Sequence, residues 1–115
     1  MQKALTFLAL ISCATASLAQ DDDGYTKITG DMTITSENWD DPQPGEAKDR
    51  AAFIIEGESA KQMYDAMKVK ASKGCEDMRS KIAGPLECTR AGDGSYMCMF
   101  AIMLTNGQSK PFGSC

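Results

Sequence analysis

The stretch Glu87–Phe100, ECTRAGDGSYMCMF, places a cysteine on each side of a turn. Asp93 and Gly94 favour a tight hairpin, because such a turn needs positive φ angles that aspartate and glycine tolerate. With the turn centred on Asp93, Cys88 and Cys98 lie directly opposite each other. Opposed residues have Cβ atoms about 4.5–5.5 Å apart, and a disulfide needs about 3.5–4.5 Å. The stretch therefore predicts a hairpin closed by a Cys88–Cys98 disulfide.

The same register predicts the other pairs across this hairpin. They are Leu86 with Phe100, Glu87 with Met99, Thr89 with Met97, and Arg90 with Tyr96. Cys75 and Cys115 would then pair by elimination, although two other connectivities stay open.

The first 19 residues have the composition of a secretory signal peptide: Lys3, an apolar run, and small residues before Ala19. The run is too short for a membrane anchor, which takes about 20 apolar residues. Leu10–Cys13 is similar to a bacterial lipoprotein cleavage box, so lipidation at Cys13 is the alternative. We expect a secreted or periplasmic protein, with residues 20–25 forming a disordered acidic tail and residues 26–115 a single domain.

The cysteines are expected to form structural disulfides in an oxidising compartment, because a small exported domain needs covalent support. The four beyond the leader show no C-x-x-C spacing, and the chain contains no histidine. This excludes a Ser-His-Asp triad, a Cys-His nucleophile and histidine-ligated metals. We therefore expect no enzyme, no cofactor and no metal site.

Hydrophobic periodicity predicts the remaining elements. Alternation over Thr26–Trp39 and an apolar run over Arg50–Gly57 predict two strands. Ser59 with Gln62 matches a capping box and opens an apolar helical stripe that ends before Gly74. The last two strands are those of the hairpin, the first of them broken near Gly84-Pro85, and a turn follows at Asn106-Gly107.

These elements predict an α+β fold: a small four-stranded antiparallel sheet in ββαββ chain order, with one helix packed on a face and disulfide staples. Met97, Met99 and Met103 share a strand face. We expect them to pack against Met63 and Met67 of the helix in one core. A Cu(I) site built from thioethers is the alternative.

Charge is uneven along the chain, which carries a net charge of −4. Residues 21–58 hold 11 acidic and three basic side chains, which suits a basic protein partner and repels nucleic acid. Trp39 begins the loop Asp40–Glu46 and is interpreted either as a lid on the core or as an exposed anchor for a partner. Trp39, Asp40 and Asp41 are the predicted partner-binding residues.

The first functional hypothesis is a small exported protein that binds another protein, such as an inhibitor or immunity protein for a cell-envelope hydrolase. It depends on size, export, acidity and the lack of catalytic groups. The alternatives are a soft-metal or small-molecule carrier, and an accessory envelope protein without a discrete ligand.

Overall fold

A computed structural model describes residues 24–112 of the chain. The predicted signal peptide, the lipidation site at Cys13, most of the acidic tail, and Cys115 lie outside the described residues. Within residues 24–112, no helix is both long and apolar enough to cross a bilayer.

One antiparallel sheet and a single helix make up the described fold. The elements are β1 (Thr29–Thr35), β2 (Arg50–Glu56), α1 (Gly57–Ala66), β3 (Ser72–Lys73), β4 (Arg79–Ala83), β5 (Leu86–Arg90), β6 (Tyr96–Met103) and β7 (Ser109–Lys110). The strands lie in the order β1-β2-β6-β5-β4-β3, and β7 pairs with β6. The expectation of a small four-stranded sheet in ββαββ order is therefore wrong, because the sheet has seven strands and dominates the fold.

Two local features account for the extra strands. Gly84 and Pro85 form a tight turn between β4 and β5 rather than a break within one strand, and Gly84 has a φ of 59°. Proline is tolerated there because a turn does not require its missing N–H. The turn at Asn106-Gly107 sends the chain back along β6 as β7. Its geometry is held by a hydrogen bond from the Gly107 N–H to the Met103 carbonyl, at 2.8 Å.

The helix is shorter than its apolar stripe predicts. Its N-cap is Glu56, with no side-chain cap, so the predicted capping box of Ser59 and Gln62 is wrong. The Ser59 hydroxyl instead donates to the Glu56 carbonyl at 2.9 Å and accepts from the Thr29 N–H at 3.2 Å. The backbone becomes extended at Met67, which ends the helix. Helical structure does not reach Gly74, because Ser72 and Lys73 pair with β4.

The helix covers one face of the sheet. Because side chains alternate along a strand, Ile55, Cys88 and Cys98 share this face. They form the main core with Ala60 and Tyr64 of the helix.

The opposite face carries a second cluster formed by Ala52, Ala101 and Phe112, with Ile54 and Met99 packed against it. Strand alternation places Met97, Met99 and Met103 on this face. The expected core combining these methionines with those of the helix is therefore wrong. Its prediction assumed that the helix packs on the methionine side of β6, whereas it packs on the cysteine side.

The hairpin register is confirmed for Glu87↔Met99, Cys88↔Cys98, Thr89↔Met97 and Arg90↔Tyr96. Cys88 and Cys98 form a disulfide, with Cα atoms 4.0 Å apart and no exposed surface on either residue. Cys75 is also disulfide-bonded. Its pairing with Cys115 stays a prediction.

Candidate partner-binding site

Trp39 lies in a turn that begins at Asn38, a short distance beyond the end of β1 at Thr35. The Asp41 N–H donates to the Asn38 carbonyl at 3.1 Å, so Trp39 and Asp40 are the two central residues of that turn. The Trp39 side chain is 46% exposed, which is neither a fully buried lid nor a fully free surface ring.

Glu46 organises the loop that follows. Its carboxylate accepts a hydrogen bond from the Asn38 side-chain amide at 2.6 Å and another from the Gln43 N–H. The Gln43 side chain in turn donates to the Asp41 carbonyl at 3.1 Å. Charge-assisted hydrogen bonds of this kind are among the stronger ones, so the loop has a defined shape despite its two prolines.

Phe112 packs against the Trp39 indole on the side nearer the sheet. The two rings meet edge to face, with centroids 4.9 Å apart and planes at 67°. Phe112 is itself only 7% exposed and packs on Ala52 and Ala101. Edge-to-face pairs contribute about 0.5–1.5 kcal/mol beyond their buried area. One side of Trp39 is thereby held by the sheet, and the other faces solvent.

A cleft lies on each side of Trp39. The larger has a volume of about 460 Å³, and its other lining residues include Asp40, Ile82, Pro85 and Pro111. The smaller has a volume of about 280 Å³ and is lined by the end of β1, by Pro42 and by Lys48. Ile82 is 55% exposed, so the larger cleft offers an apolar wall next to the indole. The indole is a ridge between two concave surfaces.

The predicted site residues are only partly brought together. Trp39 and Asp40 line the larger cleft, whereas Asp41 lies in the same turn but lines neither cleft. Sequence reasoning missed Ile82, Pro85 and Phe112, which come from distant parts of the chain. The apolar pair Pro111-Phe112 near the end of a polar tail was the one available signal.

The site is acidic. Asp40 and Glu87 line the larger cleft, and Glu46 lines the smaller one opposite a single lysine, Lys48. Asp41 adds a further exposed carboxylate in the turn. The local potential is therefore negative around an apolar ridge.

A third cleft, of about 740 Å³, lies between the start of α1 and the β5–β6 turn. Glu56 and Glu58 line it together with Lys61 and Arg90, so it carries both signs of charge. Lys61 is already paired with Asp65 at 2.9 Å, and this hydrogen bond raises the pKa of the lysine. The mixture favours neither an anionic nor a cationic ligand.

Residues 24–112 contain no group of three or more histidine, cysteine or carboxylate side chains placed to hold a metal ion. The Cys88–Cys98 bond lies beneath the helix, with its Cys98 sulfur 3.6 Å from the Ala60 carbonyl oxygen. Comparison with protein families, with curated proteins and with solved structures finds no match to this chain.

Proposed function

We propose that this chain is a small exported protein that binds another protein through the surface around Trp39. The class we expect is an inhibitor or immunity protein for a cell-envelope hydrolase. The signal-like leader and the disulfides support export. The surface defined by Trp39, Asp40, Ile82, Pro85 and Pro111, called here the Trp39 surface, supports binding.

The observation that carries the proposal is the geometry of Trp39. Its ring is held at one edge by Phe112 and by a hydrogen-bonded turn, and it remains 46% exposed between two clefts. A tryptophan fixed before binding loses little conformational entropy when a partner covers it. Tryptophan is also enriched among the few residues that supply most of an interface's energy. A half-exposed Trp39 beside two clefts supports a discrete ligand over a purely structural role.

A protein is the expected ligand because the Trp39 surface is broad and mixed. An apolar ridge rimmed by carboxylates resembles the core and rim of a protein interface. Asp40, Asp41 and Glu87 would face basic groups on the partner and steer its approach. We therefore expect a basic patch on the partner, and binding that weakens as salt is raised.

Affinity capture from a native envelope extract tests the proposal. The wild-type chain should retain a specific partner, and Trp39→Ala should lose it. Because that change also exposes Phe112, Asp40→Lys provides a second variant on an exposed side chain that makes no hydrogen bond or ion pair within the described residues. Leu104→Ala is the matched control, since Leu104 is 56% exposed and lies outside both clefts. An identical set of captured proteins for all four chains would reject the Trp39 surface.

A soft-metal carrier is the second candidate, and one observation favours it. Met78 and Met97 line the same 740 Å³ cleft. Thioethers are ligands that Cu(I) accepts. Titration of the oxidised protein with Cu(I) against a competing chelator tests this candidate, and binding no tighter than micromolar would remove it.

A further inference from the structure

Strand β1 forms one border of the sheet. It pairs with β2 along all seven of its residues, and within the described part of the chain no strand pairs with its other side. Six of the seven residues are exposed. In an antiparallel pair, alternate residues direct their N–H and C=O groups away from the partner strand. The outer side of β1 therefore presents a row of backbone donors and acceptors.

This border is apolar on the helix side. Met32 and Ile34 lie on that face and are 54% and 44% exposed. Met32 pairs with Phe53, which stacks on Phe100 with ring centroids 5.1 Å apart. The apolar surface thus continues from the sheet interior to its border.

The border has few of the features that keep natural sheet edges apart. Such edges carry lysine, proline, bulges or inward-pointing charges. Thr29–Thr35 contains neither lysine nor proline, and its one charged residue, Asp31, lies on the face opposite the helix. The strand pairs with β2 over seven residues without a bulge, and within the described residues its outer side is open to pairing.

We propose that β1 pairs with β1 of a second copy of this chain, antiparallel across a two-fold axis, to give one continuous sheet. The axis must lie midway between the two copies of one residue, so that this residue is directly opposite its own counterpart. Directly opposed residues in an antiparallel pair either both hydrogen-bond to each other or both point away. The same condition keeps apolar side chains of the two copies on one face.

In the register we propose, the axis lies midway between the two copies of Met32. This register pairs all seven residues of β1 and sets Asp31 opposite Thr33 of the other copy. It also sets Ile34 opposite Gly30, where the missing side chain leaves room for it. An axis through Asp31 would oppose two like charges, which is destabilising. An axis through Thr33 would leave part of the strand unpaired.

In this register, a second copy of β1 matches the strand on both of its faces at once. It places Met32 against Met32 on the apolar face and threonine against Asp31 or threonine on the polar face. Phe112, the last described residue, is not available to pair with β1, since it packs on the face opposite the helix. The inference does not depend on the Trp39 surface.

Sedimentation velocity on the purified, oxidised chain from micromolar to millimolar concentration tests the dimer. The wild type should shift from monomer to dimer as concentration rises. Met32→Lys should weaken the dimer about tenfold or more, because it opposes two like charges at the axis and removes apolar burial. Thr33→Lys is the matched control on the same strand. Its lysine would face Asp31 of the other copy, so the dimer should persist or strengthen.

Three results would overturn the proposal. A wild-type chain that stays monomeric at millimolar concentration excludes the dimer. Equal weakening by Met32→Lys and Thr33→Lys excludes this register. A dimer unaffected by Met32→Lys belongs to another surface. Both substituted side chains are exposed, and thermal unfolding verifies that each variant is folded. Trp39→Ala should leave the dimer intact, which separates this test from that of the proposed function.

Discussion

Lys81 of β4 caps the helix through Tyr64. Its ammonium nitrogen lies 4.4 Å from the centre of the Tyr64 ring and donates a hydrogen bond to the Tyr64 carbonyl at 3.0 Å. A second hydrogen bond reaches the Met67 carbonyl at 3.2 Å. The last turn of the helix contains no basic residue of its own. The favourable charge at the negative end of the helix dipole is therefore supplied by the sheet.

Lys81→Met should lower the free energy of unfolding by about 2 kcal/mol, since it removes a cation–π contact and charge-assisted hydrogen bonds to the final carbonyls. Urea denaturation followed by circular dichroism measures the loss. Lys68→Met is the control, because Lys68 is exposed beyond the end of the helix. Equal stabilities for the two variants would show that Lys81 does not hold the helix end.

Gly30→Ala should destabilise the chain by about 3 kcal/mol or prevent folding. Gly30 has a φ of 150°, and an added Cβ would lie 1.9 Å from the Ile54 carbonyl oxygen. Gly45→Ala separates clash from backbone strain, because Gly45 has a φ of 85° and nothing lies within 4 Å of the added atom. We expect that control to cost only about 1 kcal/mol by chemical denaturation. Similar losses at the two positions would contradict the close approach of β1 to β2.

The Cys88–Cys98 disulfide should resist reduction until the chain unfolds, because neither half-cystine has exposed surface. Treatment with dithiothreitol in native buffer, followed by alkylation and mass spectrometry, should leave both residues unmodified. Added urea should release them. Cys88→Ala with Cys98→Ala should cost about 3 kcal/mol through the lost constraint on the unfolded chain. Rapid reduction in native buffer would place the bond outside the core.

The hairpin turn should weaken in acid. The Ser95 hydroxyl and N–H donate to the Asp93 carboxylate at 2.7 and 2.9 Å, and these bonds lower the pKa of Asp93. The unfolded chain therefore binds this proton more readily than the folded one. The stabilisation is present above the ordinary aspartate pKa, near 4, and is lost as pH falls through the lower folded value.

An NMR titration of the Asp93 carboxyl carbon should give a midpoint below that ordinary value. Asp93→Asn should remove the weakening of the hairpin turn in acid. A midpoint at or above the ordinary value would contradict the turn geometry.

The hairpin from β5 to β6 was predictable because its signal is local. Asp93-Gly94 defines the turn, and counting outward from it places Cys88 against Cys98. The helix end was not predictable in the same way. Lys68, Lys70 and Gly74 are typical of a helix terminus, but pairing of Ser72–Lys73 with β4 overrides them. A two-residue strand leaves no periodicity to detect, so the seven-stranded sheet could not be counted from the sequence.

The Trp39 surface divides in a similar way. Trp39 and Asp40 could be singled out from the sequence because a tryptophan next to acidic residues in a proline-containing loop is a candidate anchor, and their binding role stays a prediction. Ile82, Pro85 and Phe112 were not, because they reach Trp39 only through the order of strands in the sheet. The faces of β6 posed the same problem, since alternation separates its methionines from its cysteines without showing which side the helix covers.

Site-specific photocrosslinking in living cells tests the central proposal most directly. A photoreactive phenylalanine replaces Trp39 in one strain and Leu104 in another, and the cells are irradiated before lysis. We predict a discrete covalent adduct between the chain and a different protein at position 39, with none at position 104. No adduct at position 39, or the same adducts at both positions, would contradict the assignment of the Trp39 surface as the partner-binding site.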